Sequence, residues 1–262
     1  MVALLRIRTR SVFAILLATA IVSAWNYTVP ASPTLPNAQT APSDPPTKGG
    51  YEFRDVHDPN GTGKFYLGRE IAQVMGFGGI GWLDRPERGD QEQPAAVIDA
   101  MDLHGGEVVA DLGAGSGYFT FRLAKAVGAK GKVLAIDIQD EMLETLRERA
   151  KAMGITNVEE IKDSEIDPHL PPGSVDWVLM VDVYHELNYP YEVMTNVRAA
   201  LKPHGRVIFV EYRKEDPSIS IKEVHKMSVE QLTKEMKAVR LDRVRTLETL
   251  PSQHIVIFQR KE

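Results

Sequence analysis

Seven consecutive residues in mid-chain, Asp111-Leu112-Gly113-Ala114-Gly115-Ser116-Gly117, have the types and spacing to cradle a small ligand. They follow a short apolar run, Val108-Val109-Ala110, and precede a stretch with Phe119, Leu123 and Ala126 at helical spacing. Glycines between a strand and a helix let a ligand approach the backbone closely. The helix start adds free N–H groups and the positive end of a dipole, which suit a carboxylate. The spacing is G-x-G-x-G. Tyr118 follows Gly117, so the G-x-G-x-x-G of dinucleotide folds is not completed, and an NAD-dependent oxidoreductase is disfavoured.

Two acids come next in the same kind of position. Asp137 ends the apolar run Val133-Leu134-Ala135-Ile136, twenty residues past Gly117. An acid at that point can accept hydrogen bonds from both hydroxyls of a ribose. Asp163 follows a third strand at residues 158–161, where it could receive the exocyclic amino group of an adenine. At the end of a fourth apolar run, residues 175–183, and just beyond it lie Asp182, Tyr184, His185 and Glu186, which combine acid, base and hydrogen-bonding groups.

These residues need a frame that brings strand ends together. From Gly106 the chain alternates strand and helix. The strands are read at 108–110, 133–136, 158–161, 175–183 and 206–212, with two last strands at 244–247 and 255–258. Helices are read at 140–153, with Asp140 as N-cap, Gly154 as C-terminal glycine and Met142, Leu146, Ala150 and Met153 inside, then at 191–201 and 227–239. Such alternation predicts a doubly wound α/β fold: a mostly parallel seven-stranded sheet with helices on both faces. Ligands on such sheets bind beyond the carboxyl ends of the strands.

The run from Val108 to Gly117 resembles the first motif of class I S-adenosylmethionine-dependent methyltransferases. Val133-Leu134-Ala135-Ile136-Asp137 resembles their second strand with its ribose-binding acid. Val175-Asp176-Trp177-Val178-Leu179 resembles their fourth strand, and Leu201-Lys202-Pro203-His204-Gly205 the loop before their fifth. The likeness covers roughly residues 106–258. It implies a Rossmann-like methyltransferase fold whose final two strands form an antiparallel C-terminal hairpin at the sheet edge, S-adenosylmethionine as cofactor, and a small-molecule or protein acceptor. It implies that Gly113, Ala114, Gly115 and Gly117 lie under the methionine part, that Asp111 orders the loop, and that Ile138 packs on the adenine. Asp163 and Asp182 complete the expected cofactor set. His185, with Glu186 or Tyr184 assisting, stands where the methyl group would arrive. It is read either as base or acceptor-orienting group, or as a cap on the following loop. A non-catalytic domain reusing the fold is the alternative. Metal-dependent members carry acids after the fourth and fifth strands, where this chain has Asp182 and Glu211. Tyr212 stands where a further ligand is expected, so no metal site is read. His57, His104, His204, His225 and His254 are scattered and read as surface or packing residues.

The rest of the chain is organised around this core. Residues 1–27 place Arg6, Arg8 and Arg10 before an uncharged run at 11–25, the order of a signal peptide or signal anchor. The chain is therefore expected to be exported, periplasmic or held to a membrane by this segment alone. Residues 28–50 form a Pro-rich linker. Residues 51–105 form an N-terminal helical cap or lid, with a short helix at 68–75, a glycine-rich segment and Trp82 as apolar anchor. The cap is similar to the segment before the core in a group of exported bacterial proteins with methyltransferase domains. A net charge of -5 gives no general attraction to nucleic acid, and the absence of cysteine excludes disulfides and thiolate chemistry.

Overall fold

A computed structural model describes residues 48–260. The signal segment and most of the linker lie outside them. Among the described residues no helix is long and apolar enough to cross a membrane.

The core sheet is built from β4 (Val108–Leu112), β5 (Lys132–Asp137), β6 (Val158–Lys162), β7 (Val175–Val181), β8 (Leu201–Arg213), β10 (Leu241–Leu247) and β11 (Gln253–Arg260), with a two-residue β9 (Lys226–Met227) beside β8. Its order is β10-β11-β8-β7-β4-β5-β6. Strands β4 to β8 pair in parallel, and β11 runs antiparallel to both β8 and β10. The mostly parallel seven-stranded sheet and its antiparallel C-terminal hairpin are those expected from the sequence.

Side chains alternate along the strands between two apolar layers. Ala110, Val178, Met180, Val207 and Phe209 face one layer, closed by α6 (Pro190–Ala200) and α7 (Val229–Ala238). Val109, Trp177, Leu179, Ile208 and Val210 face the other, closed by α3 (Pro94–Met101) and α4 (Thr120–Val127). A strand covered on both sides is apolar at nearly every position, which is why β7 reads as an almost continuous run, broken only by Asp176 near its start. Helix α5 (Asp140–Met153) packs Leu146 on Ala135 of β5. Strand order reverses between β7, β4 and β5, so the loops after β4 and β7 open towards a common crevice.

Local readings shift in three places. The residue preceding α5 is Gln139, with no side-chain cap; Asp140 is the first helical residue, where its charge suits the dipole. Met153 is exposed, because the helix leaves the sheet in its last turn, while Gly154 ends it in the left-handed conformation. On α4, Ala124 and Val127 are buried and Ala126 faces solvent.

The cap differs most from its reading. It begins as an antiparallel β-meander, β1 (Glu52–Phe53), β2 (Gly61–Tyr66) and β3 (Arg69–Ala72), and the helix expected at 68–75 is strand. Its helices come later, in α1 (Ile80–Leu83), α2 (Arg88–Glu92) and α3. The reason is tertiary. Arg69, Ile71 and Ala72 are all buried, and alternate-face burial on a strand places Arg69 against α7, where it forms an ion pair with Glu235 at 2.7 Å.

Candidate active site

One cavity of about 540 Å³ lies over the strand ends, within the range of roughly 300–1,000 Å³ typical of ligand sites. Its first half is the glycine loop. Backbone N–H groups of Gly113 and Ala114 both donate to the Ile136 carbonyl, at 2.8 and 2.9 Å, which pulls the loop onto the end of β5. Gly113 and Gly115 hold φ angles of 76° and 53°. A Cβ on Gly113 would sit 2.4 Å from Val183 Cγ2, so both conformation and space require glycine there. The cradle is narrow because the backbone itself forms its floor.

Asp111 is buried beneath this loop and accepts a hydrogen bond of 2.6 Å from the Thr120 hydroxyl at the start of α4. Burial pushes its carboxyl up to about 6. Asp137 receives the Gly115 N–H on one oxygen and the Gln139 N–H on the other, both at 2.9 Å. Each carboxylate oxygen keeps a further lone pair for a ligand hydroxyl. The Asp163 N–H bonds the Asp137 carbonyl at 3.3 Å, so the two acids are held side by side. Burial, then the charge of Asp137, pushes Asp163 up to about 7. Its Oδ1 is buried with no hydrogen-bond partner. Ile138 and Trp82, both part exposed, add apolar surface beside these acids. Of the nine residues read from the sequence as cofactor contacts, eight line the cavity, and Gly117 (φ 89°) closes the turn behind it.

The second half of the cavity follows β7. Asp182 has a φ of 52°, unusual for a residue other than glycine. It accepts the Gln253 side chain at 2.7 Å on Oδ2, while Oδ1 has no partner. A 3-10 turn, Tyr184–Glu186, then aims consecutive side chains in different directions. His185 Nδ1 lies 2.6 Å from Glu211 Oε2 at the end of β8, and the other Glu211 oxygen accepts the Tyr184 N–H at 3.0 Å. His185 Nε2 lies 3.1 Å from His225 Nδ1. The Glu186 carboxylate accepts the Met75 N–H at 3.3 Å and approaches His225 Nδ1 at 3.5 Å. Burial lowers His185 and His225 to about 4 and raises Glu186 to about 7 and Glu211 to about 8.

Tyr184 does not belong to this group. Its hydroxyl donates to Glu235 at 2.7 Å and its ring packs edge-on against Phe209, fully buried on the core side of the turn. A 3-10 turn places neighbouring side chains about a third of a revolution apart, so His185 and Glu186 reach the cavity and Tyr184 cannot. His225, set aside in the sequence, is brought to His185 by the short strand β9 pairing with β8. No local motif marks it; forty residues separate the two histidines.

The cap closes the cavity and is tied at several points. Arg69 is bonded to Glu235 and donates to the His185 carbonyl at 3.2 Å. The Met75 carbonyl accepts from the Gln139 side chain at 3.0 Å. Asp84 accepts from the Ser116 hydroxyl at 2.8 Å and pairs with Arg149 at 2.6 Å. Arg85 and Arg88 both bond Glu92 in a mostly buried cluster.

Comparison with known proteins fits this geometry. The model of a methyltransferase-domain family matches residues 103–255, more than half of the chain. An uncharacterized 37.1 kDa protein in transposon Tn4556 of Streptomyces fradiae is 32% identical over 134 residues, which are 50% of this chain and 38% of that one. The ubiquinone/menaquinone biosynthesis C-methyltransferase UbiE of Salmonella arizonae is 29% identical over 119 residues, 45% of this chain and 47% of that one. The chain thus spans under half the length of these curated relatives. Among solved structures, a SAM-dependent methyltransferase from Aquifex aeolicus superposes with a TM-score of 0.67 at 28% identity, covering 71% of this chain and 99% of its own. The glycine cradle and the unpartnered Asp163 oxygen fit the S-adenosylmethionine of the Aquifex aeolicus protein, and the chain belongs to the methyltransferase-domain family, of the class I S-adenosylmethionine-dependent type.

Proposed function

We propose that the chain transfers a methyl group to a small-molecule acceptor that enters the second half of the cavity and presents its reactive atom to His185, Glu186 and His225. The carrying observation is continuity: Gly113 to Ser116, Asp137 and Asp163 line the same cavity as these three side chains. When bound, S-adenosylmethionine supplies an activated methyl group on a sulfonium. The residues of the chain supply alignment and exclusion of water. The loop at Gly113 and Gly115 holds the carboxylate end, Asp137 accepts from the ribose hydroxyls, Asp163 accepts from the adenine amino group and Ile138 lies along its face. Asp111 and Asp182 shape the floor. His185 and Glu186 orient the acceptor and receive its proton where one must leave. The cap, with Trp82 and Leu83 on the cavity wall, limits the acceptor to a small molecule or an extended side chain.

Isothermal titration of the full chain with S-adenosylmethionine tests the cofactor half, with NAD as the parallel ligand. Micromolar binding of S-adenosylmethionine alone supports the assignment. Binding of NAD alone sinks it. An acceptor screen follows, and quinone-like acceptors belong in it because one relative is named for them.

The same proposal places the enzyme outside the cytoplasm, supported by the order of Arg6, Arg8 and Arg10 before an apolar run. A reporter active only after export, fused beyond Glu262, tests this. Reporter activity only with residues 1–27 present is the expected result, and a cytoplasmic signal overturns it.

A further inference from the structure

The feature that the cofactor-binding geometry leaves unexplained is the convergence of two imidazoles and a carboxylate on one wall of the cavity. His185 Nε2 and His225 Nδ1 are 3.1 Å apart, Glu186 Oε1 is 3.5 Å from the latter and 3.9 Å from the former. Ligands at about 2.0–2.2 Å from a tetrahedral zinc ion lie about 3.3–3.6 Å apart, and ligands at right angles about 2.8–3.1 Å apart. Two of the three separations fall in these ranges, and the third, 3.9 Å between His185 Nε2 and Glu186 Oε1, exceeds them by a few tenths of an ångström, a gap that a small rotation of the Glu186 carboxylate would close to complete one face of the polyhedron. All three residues line the cavity, so the opposite face points at the space where an acceptor would lie.

A second observation comes from behind the histidine. His185 is almost fully buried, and its Nδ1 is bound at 2.6 Å to Glu211, which is itself fully buried and anchored by the Tyr184 N–H. A proton on Nδ1 leaves the Nε2 lone pair facing the cavity. Histidine ligands of metals are commonly held in this way, by a carboxylate on the far ring nitrogen that fixes tautomer and orientation. Arg69 holds the His185 carbonyl at 3.2 Å, fixing the turn as well as the ring.

From this geometry we infer that His185, His225 and Glu186 bind a divalent transition-metal ion of the zinc class, with at least one coordination position open to the methyl acceptor. Two nitrogen ligands and one carboxylate, with an open position, are the donor set of catalytic zinc sites rather than closed structural ones. The substrate class follows. An acceptor with a hydroxyl or thiol would become a ligand and lose its proton to solvent. The pair on its oxygen or sulfur forms the new bond to carbon, the carbon–sulfonium bond breaks, and its pair stays on the thioether sulfur. The site differs from the Asp182 and Glu211 pairing that the sequence suggested: Glu211 supports His185 from behind, and Asp182 is turned to Gln253. The role in transfer rests on the methyltransferase reading, but the binding site itself does not.

The test uses the untagged full chain, stripped with chelator. Zinc is titrated calorimetrically and retained metal is counted by mass spectrometry. Cobalt(II) gives the coordination through its visible absorption. One zinc per chain, and an intense cobalt band of four- or five-coordinate type, are expected. Glu211→Gln should weaken zinc binding by about 10–100-fold by releasing the ring of His185. His225→Ala and Glu186→Gln should weaken it at least as much, while S-adenosylmethionine binding and thermal unfolding stay close to those of the parent, showing that the variants fold. Absence of stoichiometric zinc, or zinc bound equally well by both variants, overturns the site. Zinc binding without S-adenosylmethionine binding would leave the site standing and overturn the function. The reverse result would overturn the site alone.

Discussion

The two halves of the cavity are built differently. Around the glycine loop, each polar group belongs to the residue at or just after a strand end, and backbone groups make most of the contacts: Gly113 and Ala114 to Ile136, Gly115 and Gln139 to Asp137, Asp163 to Asp137. Around His185, contacts run between side chains drawn from β8, the segment before β9 and the cap: Glu211, His225 and, through its backbone, Met75. A backbone-built half tolerates little change and suits a ligand that is always the same. A half built from side chains of distant segments can vary its ligand by substitution. That difference supports the proposal that the constant component, the cofactor, binds in one half and the variable component, the acceptor, in the other.

The largest expected effect tests how far the second half depends on the cap. Arg69→Met leaves the buried Glu235 carboxylate without its only ion-pair partner among the described residues, with neutral hydrogen bonds from Tyr184 and Gln231 remaining, and should cost about 3–5 kcal/mol of stability, read by denaturant unfolding. If the loss is under about 1 kcal/mol, the cap is not a fixed wall of the acceptor half. Next, Gly113→Val forces a β-branched residue to a φ of 76° with its Cβ against Val183. A loss of about 2–5 kcal/mol and no measurable cofactor binding are expected. Retained binding would show that the loop is not the cradle.

Asp137→Ala sharpens the comparison within the first half. It removes the acceptor for Gly115 and Gln139 as well as for a ribose, and should weaken S-adenosylmethionine binding by about tenfold to a hundredfold with zinc binding unchanged. A smaller effect follows from pH. Asp163 is raised to about 7 by burial and by Asp137, so the folded protein holds a proton that the unfolded chain has released. Stability of the unliganded protein should therefore rise as pH falls through about 7. Below about 6.5 the lowered values of His185, His225 and His254 act in the opposite sense, since the unfolded chain then binds more protons. Asp163→Asn should flatten the first limb in thermal unfolding from about pH 8 to about 6.5; an unchanged slope would assign it to other carboxyls. The smallest effect belongs to Tyr184→Phe. Losing the bond to Glu235 should cost about 1–2 kcal/mol of stability and leave methyl transfer untouched. A large fall in transfer would return Tyr184 to the catalytic group.

Much of this molecule is legible in its linear order. Asp111 to Gly117, Asp137 and Asp163 announce the first half because a parallel sheet forces each ligand-facing residue to follow its own strand, so the site is written as a series of short local signals. The apolar periodicity at 140–153 and the continuous run at 175–181 place α5 and β7 for the same reason: burial on one face or on two leaves a local trace. Helix α7, capped by Ser228, is likewise local.

Tertiary structure decided what local signals do not carry. Residues 69–72 have the composition of a helix, yet form a strand because Arg69 is pulled to Glu235 across 166 positions of sequence. Whether Tyr184 or His185 faces the cavity depends on the phase of a three-residue turn, which periodicity cannot set. His225 reaches His185 only because two residues of β9 add to β8. The cofactor half could be read because its contacts follow the strand ends in order. The acceptor half could not, since a contact between side chains far apart in sequence costs nothing in local pattern and is defined only when the chain has folded.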